Sequence, residues 1–438
     1  MSVYLRKFAT QAAYEAAQSS LMLPNVSLID ETNGVEYNQS SPEPPSDPRL
    51  IATFNVTSTS ESTKIMNEYA ESLFSAIEID GVAQPSVVSA YTFSTTGEHT
   101  VKYTLTDPTS IGNSTFWQCS GLTSIVIPNS VTSIDDYAFY ECSSLTSVTI
   151  PSSVTNIDNY VFQDCTSLTS INIPNSVTSI GSDAFWNCDS LTSVTIPDSV
   201  TSIGNSAFEY TPWWNSYSTD TSHHYGNIIY INYVAYKATA TTITSAMFKS
   251  GTISISKYAF NGCSSLTSID IPDSVTSIDD YVFSGCSSIT SCTIGSGVTS
   301  IGYDAFRGCS ALTSISIPDS VTIISGDAFY NCTSLTSCTI GNGVTRIGEA
   351  AFAWCSGLTS CTIGSGVTSI GTDAFRGCSA LTSIISNATT APIITKNTFT
   401  SVKTGGTLTV PSGSSGYDVW MGTGKNYLGY YNWTKVEQ

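Results

Sequence analysis

Thirteen cysteines, three histidines and a recurring aspartate are the side chains of this sequence whose chemistry could go beyond packing. Zinc sites want paired CxxC or Cys/His clusters. Here Cys119, Cys142, Cys165 and Cys188 stand 23 residues apart, and so do Cys263, Cys286, Cys309, Cys332, Cys355 and Cys378. Such an interval marks one slot of a repeating coil, where a free thiol serves as a small apolar residue; disulfides between neighbouring turns, or reactive thiols, are the alternative. His99, His223 and His224 come with no GxSxG, HExxH or P-loop. The adjacent His223 and His224 would point to different sides of a strand, which is poor geometry for a metal. Aspartates recur at fixed repeat positions (Asp183, Asp304, Asp327, Asp373), a pattern of turn chemistry rather than of a carboxylate pair. The expectation is a non-enzymatic protein without cofactor or metal.

The elements that carry these residues follow from the period. One unit, CSSLTSVTIPSSVTNIDNYVFQDC, runs from Cys142 to Cys165 and returns many times, which is the signature of a solenoid. Within it Leu145, Val148 and Ile150 follow the L-x-x-L-x-L spacing of a leucine-rich repeat strand and point inward. Pro151, or Gly295 in a later unit, ends the strand, since proline cannot donate to a ladder and glycine tolerates the turn. Val154 and Ile157 begin the return, a short turn follows, and Cys165 closes the coil. The recurring Phe, from Phe139 and Phe162 to Phe352 and Phe375, stacks as a buried column, and Cys292, Cys338 and Cys361 replace Val148-type residues at an inward strand slot. No unit buries its apolar face alone, so stability is a sum over neighbours.

Units of the form CxxLTSxxIPxSVTSIGxxAFxxC resemble the BspA-like leucine-rich repeat family over residues 109–411. The resemblance implies a binding or adhesive module at a surface, facing host matrix proteins or other macromolecules, rather than an enzyme.

The monotony breaks after Thr211, which occupies a cysteine slot; the interval to Cys263 is two periods plus six residues. Over residues 209–250 two irregular turns with a protruding loop are expected, with Ile243, Ala246 and Phe248 at the strand offsets. Trp213, Trp214, Tyr217, His223, His224 and Tyr225 form the densest aromatic and imidazole cluster of the chain, the composition of a carbohydrate or protein contact patch. The alternative is that these rings fill the mismatch between irregular turns. A second candidate is the stripe beside the Phe column, where Trp186, Arg307, Tyr330 and Arg376 vary among turns while the strand exterior stays a uniform Thr/Ser ladder.

Residues 1–40 read as a small α+β module, with a helix capped by Thr10 through about Ser20 and a hairpin turning at Asn33–Gly34. So short a piece needs a partner or oligomerises. Its pattern KFATQAAYEAA...LPNVSLIDETNGVEYN resembles N-terminal modules in virion proteins of crAss-like gut phages, which implies attachment to virion proteins. A Pro-rich linker (41–49), a β-sandwich-like unit (50–108, with strands in LIATFNV, FSAIEIDG, VVSAYTFS and HTVKYTL) and a C-terminal cap (412–438) complete a mostly β chain.

A net charge of −19 repels phosphate backbones and anionic lipid. Neither an export signal nor a membrane span is read in the sequence. That combination favours a phage fibre or decoration protein, made in the host cytoplasm and binding a host-surface protein or glycan; a bacterial cell-surface adhesin is the other reading.

Overall fold

A computed structural model describes residues 28–30, 35–37 and 47–438. The chain divides into two units, Met1–Pro48 and Arg49–Gln438. In the first, Leu28–Asp30 pairs antiparallel with Val35–Tyr37, so the hairpin strands are present. The helix read from Thr10, the turn at Asn33–Gly34 and most of the linker lie outside the described residues.

The second unit is a leucine-rich repeat solenoid, closed at its start by strands that precede it. Leu50–Val56, Phe74–Ile79 and Gly97–Leu105 pair antiparallel, and Leu50–Val56 then pairs with the first turn's strand, Leu122–Val126, placing Ala52 opposite Ile125. The result is one six-stranded sheet shared by cap and solenoid. The strand expected in VVSAYTFS shrinks to Ala90–Tyr91, paired with Thr63–Lys64, so the second layer of the expected sandwich is a two-stranded fragment. Cap and solenoid also share one core: Phe74 and Tyr103 pack on Phe116 at 6.3 and 5.4 Å, which starts the Phe column inside the cap.

From there each turn lays two short parallel strands on its predecessor in strict register. Ser133↔Asn156↔Ser179↔Ser202 form one ladder, and Ser314↔Ser337↔Ser360↔Ser383 form another. Leu145 and Ile150 are buried, whereas Val148 stays partly exposed. The Phe rings stack face to face, as between Phe139 and Phe162 (5.3 Å, 2°) and between Phe306 and Phe329 (5.1 Å, 1°). The column extends one residue beyond the expected set at each end, to Phe116 and Phe399. Outside, threonine hydroxyls donate to the carbonyl one turn back, as Thr146 does to Thr123 at 3.0 Å and Thr359 to Thr336 at 2.9 Å.

Each turn bends through two left-handed backbone positions, two residues before and two after Phe. Asp183, Asp304, Asp327 and Asp373 (φ 52–58°) occupy the first, which explains their recurrence, since Asp tolerates this conformation better than most side chains. Gly262, Gly285, Gly308 and Gly377 occupy the second in much of the later array. At the C-terminal end Thr407–Val410 and Thr434–Glu437 continue the parallel sheet, and Trp420 closes the column beneath Phe399 at 5.3 Å.

Candidate binding surface

The cysteines come first, because thirteen thiols are the chain's largest reactive inventory. All are free, and twelve are buried; Cys292 is partly exposed. The main column has a second use besides filling space. Cys142 Sγ lies 3.1 Å from Phe116 O, and the same bond recurs from Cys286 to Phe260 and from Cys355 to Phe329, so each thiol donates to a carbonyl that also accepts the N–H of the cysteine three residues after it (Cys119, Cys263 and Cys332). Cys338 and Cys361 are register neighbours on adjacent strands, and Cys292 faces Ile269, which confirms the inward strand slot. Burial pushes Cys119 up to about 12 and Cys263 to about 11, away from the thiolate that reactivity requires.

Where the sequence places a protruding loop, the structure has a helix, Pro212–Thr219, followed by a hairpin of Ile228–Ile231 and Val234–Ala238. Thr211, in the cysteine slot, donates to Phe208 O at 2.8 Å and accepts the Trp214 N–H at 3.0 Å, so one hydroxyl ends the turn and caps the helix. Trp213 stands edge-on to Phe208 at 4.9 Å and terminates the first Phe column. Trp214 is 7% exposed and packs on Tyr236. The hairpin then returns the chain to register, Val234 pairing with Ser254. Ile243, Ala246 and Phe248 occupy the next turn's interior without forming a strand.

Most of this cluster is engaged in local contacts. Tyr217 stacks on His223 at 3.6 Å and gives its hydroxyl to Tyr230 O; His223 and His224 bond to the carbonyls of Tyr217 and Ser218. Their rings and tips are engaged in closing the mismatch between irregular turns. Tyr225 alone of the six is exposed, at 42%. His99 is likewise structural, held between Asp80 (2.7 Å) and Thr95 O (2.9 Å). Among the described residues no group of three or more His, Cys, Asp or Glu side chains is placed to hold a metal.

The stripe fares differently. The Arg307 guanidinium lies 4.5 Å over the Tyr330 ring and that of Arg376 5.8 Å over Trp354, each arginine also paired with the aspartate three residues before it. Arg307 and Arg376 are exposed, Tyr330 is half-buried, and Trp354 is 44% exposed on a left-handed backbone (φ 62°). Trp186 lies apart in the earlier array, edge-on to the exposed Tyr210 at 5.2 Å.

Two features escape sequence reasoning. Tyr137 stacks on Tyr160 and Tyr258 on Tyr281, each pair at 4.6 Å, and all four tyrosines sit in the left-handed slot that other turns give to Asp. Their position two residues before Phe was a visible signal. The second feature is a trough of about 500 Å³ walled by both parts of the array.

These stacked turns define a leucine-rich repeat solenoid. The chain belongs to the BspA-type leucine-rich repeat family, whose model matches residues 86–214, 229–358 and 322–417. Among solved structures, a leucine-rich repeat protein of Treponema pallidum is 28% identical, covering 34% of this chain and 72% of that one, with a TM-score of 0.33. One from Bacteroides ovatus is 23% identical (79% and 90% covered, TM-score 0.26), and a leucine-rich cell surface protein of Faecalibacterium prausnitzii is 25% identical (68% and 81%, TM-score 0.28). A comparison with curated proteins returns no match.

Proposed function

We propose that this chain is a non-enzymatic binding protein that displays its solenoid at a surface and grips a host-surface protein or glycan through the outer edge of its later turns. The observation that carries this is the pair of cation–ring stacks, Arg307 on the half-buried Tyr330 and Arg376 on the exposed Trp354, set beside the Thr/Ser ladder of the strands. Repeated hydroxyls offer hydrogen bonds that water matches, whereas Trp, Tyr and Arg dominate binding energies. The test is Trp354→Ala with Arg376→Ala, read as binding of the labelled protein to host cells. Affinity about 30-fold lower at an unchanged unfolding midpoint is the expected outcome, the size of one hot-spot loss; unchanged affinity sinks the assignment.

The carrier we favour is a phage particle, with residues 1–40 docked on virion proteins, a reading that rests on the resemblance of that module. Mass spectrometry of purified particles checks it: the chain is found there, and deletion of residues 1–48 removes it. Membership of the BspA-type family supports the second reading, display on a bacterial cell. Surface proteolysis of intact cells would then release the chain. Nucleic acid is a poor partner on either reading, because the net charge is −19; no described helix is long and apolar enough to cross a membrane.

A further inference from the structure

The trough runs along one recurrent slot of the turns, on both sides of the insertion. Its walls come from the first part of the array through Asp158, Asn159 and Ser182, and from the second through Lys257, Asp279 and Asp280. Gly181 and Gly302 also line it. A Cβ there would fall 2.5 Å from the backbone of the turn before, so no side chain can fill those positions. The polar groups on the walls are held in place by their own bonds. Asn159 donates to Asp136 Oδ1 and accepts the Ser182 N–H, while Asp280 accepts the Tyr303 N–H at 2.8 Å and the Lys257 ammonium at 3.2 Å.

The tyrosine pairs belong to the same turns. Tyr160 directly follows Asn159, and at the other wall the Lys257 ammonium lies 5.7 and 5.6 Å from the ring centres of Tyr258 and Tyr281, which border the trough without lining it. Each has φ of 58–61°, a conformation that costs a bulky L-residue energy and that Asp fills with less strain in the neighbouring turns. Strain that a cheaper residue would relieve points to use of the ring itself.

We propose that the trough and its flanking tyrosine pairs form a second binding site, for a short stretch of neutral oligosaccharide. Fixed amide and carboxyl groups match sugar hydroxyls, and aromatic faces match the C–H faces of sugar rings. Anionic sugars are disfavoured, because three carboxyl groups face one ammonium already paired with Asp280. Burial raises Asp158 and Asp279, and the charges of Asp136 and Asp135 add to the rise at Asp158, that of Asp280 at Asp279. The site rests on the reading of the chain as a surface-binding protein, but it uses none of the stripe residues, so the two can fail separately.

The experiment is titration calorimetry of the full chain with neutral plant and mucin-type oligosaccharides, preselected on an array, alongside a sulfated oligosaccharide and spermidine. The variants are Tyr160→Asp and Tyr281→Asp, which copy neighbouring turns and so retain the fold, and Asn159→Ala. Tyr69→Ala, in the cap and 83% exposed, is the control. At least one neutral oligosaccharide should bind the natural sequence and Tyr69→Ala alike, and bind each trough variant at least 10-fold more weakly. The proposal is overturned if no neutral sugar binds, if only spermidine or the sulfated sugar does, or if the tyrosine variants bind as the natural sequence does. Loss of host-cell binding in the stripe variants, with oligosaccharide binding intact, would leave this site standing; the reverse pattern would leave only the stripe.

Discussion

Two aromatic regions of the molecule look alike in composition and behave oppositely. The segment from Pro212 to Tyr225 concentrates Trp, Tyr and His, yet apart from Tyr225 its rings are engaged within the fold: Trp213 ends the Phe column, and Trp214 packs on Tyr236. The edge that carries Arg307, Tyr330, Trp354 and Arg376 holds two rings over four turns and keeps Trp354 partly in solvent. Where the repeat fails, large side chains are recruited to fill the mismatch; where it holds, the core is already full and a large residue at a variable slot has nowhere to go but outward. Regularity, rather than aromatic density, marks the exposed surface.

Substitutions should break or sharpen this contrast, and the largest effect belongs to the inward region. Trp214→Ala should cost about 3–5 kcal/mol, as for other buried tryptophans, read from the denaturant midpoint; a loss below about 1 kcal/mol would return Trp214 to the surface class. Thr211→Val removes both the bond to Phe208 O and the helix cap and should cost about 1–2 kcal/mol. Gly377→Ala probes the edge from below. With φ +71° and a built Cβ 2.6 Å from Trp354 Cε3, it should cost about 1 kcal/mol and displace the indole, visible as a shift in tryptophan emission. Trp354→Ala itself should change stability by no more than about 0.5 kcal/mol, because the ring closes no core.

The smallest expected effect is none: iodoacetamide at pH 8 should leave the buried Cys column of the native protein unreacted. With its pKa raised by burial to about 12, Cys119 is thiolate in only about one molecule in 10⁴ at that pH, and the column is also closed to solvent. In denaturant without reductant all thirteen should react. Disulfides found there would show that the turns are cross-linked and would undo the account of the thiol as a carbonyl donor.

Much of the scaffold is legible in the sequence, because its instructions are local and repeated. A 23-residue interval brings Cys142 beneath Cys165 and Phe139 beneath Phe162 whatever the curvature of the coil. The recurring Asp183 and Asp304 announce a turn, though not that the turn is left-handed; with that knowledge Tyr137, Tyr160, Tyr258 and Tyr281 would have stood out as residues in the wrong company. The helix at Pro212 was signalled by Thr211-Pro212, an N-cap followed by proline in the first turn, but the repeat register drew the segment toward an irregular turn and loop. The trough was not legible at all. Its walls come from either side of the irregular insertion, whose geometry no periodicity encodes.

The register of the thiol and threonine bonds bears on how such a chain can change over generations. Cys142 reaches for a carbonyl 26 residues back and Thr146 for one 23 back, and the identities at both ends recur in the next turn. A deletion or duplication of one whole unit, the ordinary product of misaligned recombination between near-identical stretches of a gene, therefore hands every donor an equivalent acceptor. The length of the array is free to drift in whole steps, while a slip of a single codon would misplace every contact that follows it.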